Sequence, residues 1–239
     1  MGNRVLKKHI FKLLLSPDLE SVFNGIGHYP ATDVANILFS AICHNDELLR
    51  WRGISSMGVT LARLAVEDME KSRIFMRRLL WSLNDESGGI GWGAPESMAE
   101  AMVYHNGLAE EYIHMLISYM RGDGEELLQH GNYLEHELLQ RGLLWGICRM
   151  AGLKARMLIE RGVREDIMPY LRSSDNEVRG LAARACGLLQ ISEAIEELEK
   201  LAVDESPLRF YEDGMVSSHS VGEFASKALA MLDEGPERI

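Results

Sequence analysis

The run from Asn84 to Glu96, NDESGGIGWGAPE, places glycines at 88, 89, 91 and 93 just ahead of a proline that suits a helix start. Backbone N–H groups in such a turn converge and can hold a phosphate, a carboxylate or a peptide end. Ser87, Gly88, Gly89, Gly91, Trp92 and Gly93 are therefore candidate binding residues. The run has no strand before it and no Lys-Ser/Thr after its glycines, so it meets neither the dinucleotide fingerprint nor the P-loop. Asp85, Glu86 and Glu96 oppose an anion unless they point elsewhere. The weight falls on a structural turn, with ligand contact second and catalysis last.

Three arginines, Arg50, Arg141 and Arg179, stand at comparable places in segments of similar sequence. A row of guanidinium groups could grip an acidic peptide or phosphates. The favoured alternative pairs each with an acid in the next segment's turn. Tyr211 lies in a second long connection, Asp204 to Gly214, whose Asp-Glu-Ser start repeats Asp85-Glu86-Ser87. That connection reads either as a binding loop or as a hairpin covering the end of the chain. Glu111 and His114 share a helix face at di-iron spacing, but a second such pair and two further carboxylates are lacking. His114, His130 and His136 are too scattered for zinc. Cys43, Cys148 and Cys186 form no C-x-x-C pair and read as buried free thiols. No catalytic set, no metal site and no cofactor motif emerges.

The elements that carry these residues are helices. Val34, Ile37, Leu38, Ala41 and Ile42 recur at three- and four-residue steps, as do Leu181, Ala185, Leu188 and Leu189. Ser16-Pro17, Ser174 to Glu177 and Ser220 to Glu223 read as helix starts, and alternating strand patterns are nearly absent. About a dozen helices joined by short turns are expected. Lys71, Arg73, Arg77 and Arg78 read as the solvated face of one of them.

Self-comparison supplies the organisation. Asp46 to Gly58 aligns with Asp175 to Gly187: an initial acid, an apolar residue, an arginine, a small residue and a closing glycine recur. Arg141-Gly142-Leu143 and Val221 to Leu229 extend the series at a spacing of about 40 residues, the period of a two-helix repeat. In this register Asn84-Asp85-Glu86 matches Asn45-Asp46-Glu47, and Trp92 matches Trp51. The glycine run is thus a repeat turn with an insertion, and its helix starts late, near Ala94. Trp92 is expected to pack.

The pattern D-N-E-V-R-x-x-A-A-x-A-x-G at Asp175 to Gly187 resembles the second helix of HEAT-like repeats, including the phycobilisome-lyase type. The resemblance covers roughly residues 30–232. It implies an all-α, right-handed α-solenoid of about five helical hairpins forming a single domain over 1–239, with 1–28 as an N-terminal capping element. It also implies an interaction surface more often than a catalyst. Bilin attachment and base excision on HEAT-like folds are the enzymatic precedents it brings.

Composition narrows the partners. With 239 residues, 46% hydrophobic content and a formal charge of −11, the chain supplies a large core and an acidic surface that opposes broad nucleic-acid binding. Arg4, Lys7, Lys8 and Lys12 form one local basic exception. No stretch has the length of a membrane span, and the start fits neither a signal peptide nor a myristoylation signal. The expectation is a cytoplasmic, non-catalytic scaffold that binds a protein or peptide, with a HEAT-fold enzyme of bilin-lyase or DNA-glycosylase type as the alternative.

Overall fold

Side chains at the expected turns start the helices. Asp46 accepts the Leu49 N–H at 2.8 Å, Asp175 that of Val178 at 3.0 Å, and Ser220 that of Glu223 at 3.1 Å. Each satisfies a donor that the first helical turn leaves unpaired, and the two aspartates also suit its positive end. The computed structural model describes residues 2–83, 91–122 and 131–235. Among these it contains twelve α-helices and one two-stranded sheet. The fold is all-α, of the helical-repeat α-solenoid class. Contacts divide the chain into two compact units, Met1–Glu111 with Tyr211–Val216, and Tyr112–Phe210 with Ser217–Ile239.

The first unit opens with α1 (Asn3–Leu14) and α2 (Leu19–Gly27), which pack on α3 (Ala31–Leu38) and α4 (Glu47–Glu67). On α1 the four-residue spacing of Leu6, Ile10 and Leu14 buries one face and leaves Lys7, Lys8 and Lys12 in solvent. Each such aliphatic side chain contributes roughly 1.5–3 kcal/mol. Pro17 stands before α2 instead of inside its first turn, because Asp18 takes the cap by accepting the Ser21 N–H at 2.7 Å. On α5 (Met69–Leu83) the expected solvated basic face is engaged. Arg73 holds Glu111 through two hydrogen bonds of 2.8 and 2.5 Å, Arg77 holds Glu70 at 2.6 Å, and Arg78 lies 4.2 Å over the Phe39 ring. Glu111 is thereby an arginine partner, and His114 is exposed. α6 (Ala94–Tyr104) packs on α4 and α5, and α7 (Asn106–Ser118) carries the division between the units.

In the second unit α10 (Asn176–Leu188) packs between α8 (Glu137–Ile159) and α12 (Val221–Asp233), with α9 (Val163–Ile167), α11 (Ile195–Leu201) and two short 3-10 turns completing the connections. His136 caps α8 by accepting the Leu138 N–H at 3.2 Å. Cys148 and Cys186 are buried outside any disulfide, as expected, whereas Cys43 is only partly buried; burial pushes Cys186 up to about 12. The connection before α12 differs from an all-helical reading. Strands β1 (Pro207–Glu212) and β2 (Met215–Ser220) flank Asp213 and Gly214, which adopt φ of 50° and 82°. Two successive positive-φ residues make the turn whose twist matches a β-hairpin, and Asp-Gly is its usual sequence.

Candidate functional site

α6 is apolar almost all round: Ala94, Met98, Ala99, Ala101 and Met102 are fully buried. Into this helix the sequence inserts two acids one turn apart, Glu96 and Glu100, which are 8% and 3% exposed. Burying carboxyls is costly unless hydrogen bonds or cations compensate. Burial pushes the Glu96 carboxyl up to about 7, opposed by its own backbone N–H and by the Arg50 guanidinium. Its Oε2 has no hydrogen-bond partner among the described residues. Cys43 belongs to the same neighbourhood. Its thiol donates to the Trp92 carbonyl at 3.5 Å, and burial and then the Glu96 charge raise its pKa.

Around Glu100 the hairpin tip closes on α4. The Tyr211 hydroxyl lies 3.1 Å from the Ser55 Oγ, and its ring stacks on Trp51 at 5.0 Å with planes 6° apart. Burial pushes Tyr211 up to about 12, with the Glu100 charge adding to it and the Ser55 hydrogen bond opposing it. Tyr211 is only 2% exposed, so it is a packed residue as well as a polar one. Two carboxyls, a tyrosine hydroxyl and a flat aromatic pair thus line one α4–α6 face of the first unit. Chemically the two carboxyls favour donors and cations over an anion.

The residues singled out in the sequence fall into three groups. Ser87, Gly88 and Gly89 lie outside the described residues. Gly91, Trp92 and Gly93 lead into α6, which starts at Ala94 as the repeat register requires. Gly93 has φ of 76°, and a Cβ there would sit 2.6 Å from the Ile42 carbonyl oxygen, so this glycine serves the backbone path. Trp92 is 38% exposed, unlike its repeat counterpart Trp51, which stacks on Tyr211. Arg50 donates to the His44 carbonyl at 3.2 Å and lies within the field of Glu96.

Arg141 and Arg179 take the pairing role in the second unit. Arg141 chelates Asp175, the acid of the next repeat's turn, and adds Glu177 at 3.2 Å; Arg179 reaches Asp204 at 2.8 Å. Burial works against the Asp175 charge, but the Arg141 guanidinium and the backbone N–H groups of Val178 and Glu177 together more than offset it and hold the carboxyl below the usual range. Both guanidinium groups are thus paired with acids of the following turn. No group of three or more metal-ligating side chains occurs among the described residues.

Sequence reasoning passed over Glu100 and treated Glu96 only as an anion-repelling charge. The available signal was their four-residue spacing in a helix whose other residues are mostly Ala and Met, with no basic residue one turn away.

Glu96 gives the fold an unusual pH dependence. Its carboxyl titrates at about 7 when folded against an ordinary 4.5, so between these values the folded chain holds a proton that the unfolded chain has lost. Stability therefore falls as pH rises through that window, and the full cost, about 3 kcal/mol, is present above it. Glu96→Gln is expected to raise the urea midpoint at pH 8 and to leave it nearly unchanged at pH 4. Equal shifts at both values would contradict this account.

No protein family matches the chain by sequence profile. No curated protein matches it either. Solved structures do. Two engineered proteins from a structural-genomics programme align at TM-scores of 0.53 and 0.52 with 16% and 14% identity, covering 98% and 96% of this chain and 98% and 99% of theirs. A computationally designed armadillo repeat protein for modular peptide recognition aligns at 0.46 with 18% identity, over 93% of this chain and 98% of its own. At such identities the likeness speaks to fold alone. The chain is a helical-repeat protein of the α-solenoid class. No helix among the described residues is long and apolar enough to cross a membrane.

Proposed function

We propose that this chain is a binding scaffold for a protein or peptide segment, which it holds on the α4–α6 face by taking a cationic side chain onto Glu96. The observation that carries this reading is the buried Glu96 carboxyl whose Oε2 has no hydrogen-bond partner among the described residues. A guanidinium or ammonium group would supply the missing donor and favour the ionised form, giving a charge-assisted hydrogen bond in a dry setting. Glu100 adds negative charge to the same α4–α6 contact, and the half-buried Trp51, backed by the buried Tyr211, adds an aromatic ring. The turn at Gly91–Gly93 leads into this face and belongs to the proposed contact surface. Arg141 and Arg179, which the repeat register offers to an acidic segment, are already paired with Asp175 and Asp204.

Titration calorimetry with arginine-rich and glutamate-rich peptides of equal length tests the reading. The arginine-rich peptide is expected to bind at pH 7 with release of protons, because the incoming cation favours ionised Glu96. Glu96→Gln should weaken binding by about tenfold or more and abolish that release. Tighter binding of the glutamate-rich peptide, or a Glu96→Gln variant that binds unchanged, would overturn it.

A further inference from the structure

The alternation of a strand places Ser217 and His219 on the same face of β2, and the junction into α12 brings Glu223 back to them. The Ser217 Oγ lies 2.8 Å from His219 Nε2, and His219 Nδ1 lies 2.9 Å from Glu223 Oε2. The His219 ring is steadied by Phe224 at 5.2 Å and Phe210 at 6.4 Å. A carboxylate only accepts hydrogen bonds, so Glu223 places the imidazole proton on Nδ1 and leaves Nε2 free to accept from the serine. The hydrogen bond from His219 holds the Glu223 carboxyl below its ordinary range, which keeps that acceptor ionised at neutral pH. Ser217 is exposed, and its Oγ also lies 3.3 Å from the Phe210 carbonyl oxygen.

The hairpin register adds a fourth group. A two-residue turn at Asp213-Gly214 pairs Phe210 with Ser217 and Arg209 with Ser218, in keeping with the 3.3 Å contact between the Arg209 Nη1 and the Ser218 Oγ. Pairs alternate between bonded and non-bonded along an antiparallel ribbon. Ser217 falls at a bonded position and Ser218 at a non-bonded one, so the Ser218 N–H points away from β1. An amide donor directly after a serine nucleophile suits a developing oxyanion.

We propose that Ser217, His219 and Glu223 form an acyl-transfer site that hydrolyses esters of short acyl groups, with the Ser218 N–H as oxyanion donor. The Ser217 Oγ attacks the ester carbonyl carbon as its proton passes to His219 Nε2. The bond to the alkoxide then breaks, and the alcohol leaves with that proton. Water attacks the acyl carbon and gives a proton to Nε2. The Ser217 ester bond breaks, Oγ recovers the proton and the carboxylic acid departs. Ester and water thus yield alcohol and acid, with both serine and histidine restored. Glu223 acts as a positioning residue through His219.

The test uses the full chain with p-nitrophenyl acetate, following nitrophenolate release and locating the acetyl group by mass spectrometry. Acetylation is expected at Ser217, absent in Ser217→Ala and unchanged in rate in Ser226→Ala. His219→Gly should slow it by about 100-fold. Added imidazole should restore much of that loss, a rescue that a merely structural histidine would not show. Acetylation confined to lysines, the same rate in Ser217→Ala, or labelling of Ser217 no faster than in the urea-unfolded chain would overturn the proposal.

Discussion

Arg52→Met is expected to destabilise the first unit by about 3 kcal/mol or more, the largest single effect of removing one side chain's hydrogen bonds. Arg52 is 6% exposed, and its guanidinium fans out to four backbone carbonyls. Nη1 donates to Leu14 at 3.2 Å and to Ser16, Nη2 donates to Pro17 at 3.3 Å, and Nε donates to Gly214 at 3.3 Å. Leu14 ends α1, where carbonyls lack intrahelical partners and a positive charge is favoured. Methionine keeps much of the apolar stem but leaves these acceptors without their donors. Partial access of water keeps the total below the sum of single losses. Lysine retains the charge without the planar fork, so Arg52→Lys should recover only part of the stability. Urea unfolding gives the magnitude, and protease cleavage within residues 1–30 locates it. A methionine variant within about 0.5 kcal/mol of the parent, the range usual for surface changes, would refute the assignment.

Gly58→Ala is expected to cost about 2–3 kcal/mol, against the usual preference for alanine in a helix. A Cβ at residue 58 would lie 2.3 Å from the Glu100 Cβ and 2.8 Å from its carbonyl carbon. The second obstacle is backbone, so no side-chain rotation relieves it and α4 and α6 must separate. Separation would wet Glu96, and the loss of stability between pH 4.5 and 7 should shrink in the same variant. Gly152→Ala is the control of opposite sign, because its Cβ would meet nothing within 4 Å. It should stabilise by a few tenths to about 1 kcal/mol. A Gly58→Ala denaturation midpoint at or above that of the parent would show that the α4–α6 contact is looser than described.

Much of the fold was legible because its signals are local. The acids at 46 and 175 cap the helices they precede, and the late start of α6 followed from Pro95 and the repeat register. The pairing of Arg141 and Arg179 with turn acids followed from the same repeat, since a periodic stack brings equivalent positions to equivalent partners. The hairpin was less legible, although Asp213-Gly214 is a hairpin sequence, because the serines and histidine of β2 lack the β-branched and aromatic residues of a strand. Trp92 shows the limit of the register: it aligns with Trp51 yet stays 38% exposed, because Gly93 replaces the anchoring Arg52 and α6 has not begun.

The sequence by itself determined that this chain is all-α and where most of its helices start. It also favoured the arginine–acid pairing that Arg141 and Arg179 make, whereas Arg50 donates to the His44 carbonyl. These depend on periodicity and on neighbours a few residues or one repeat away. Only the tertiary structure decided that Glu96 is dry and that Arg52 gathers carbonyls from as far as 162 residues away. It also decided that Tyr211 lies flat on Trp51. Burial and long-range pairing are properties of how helix faces meet, and a helical pattern leaves the partner of each face open.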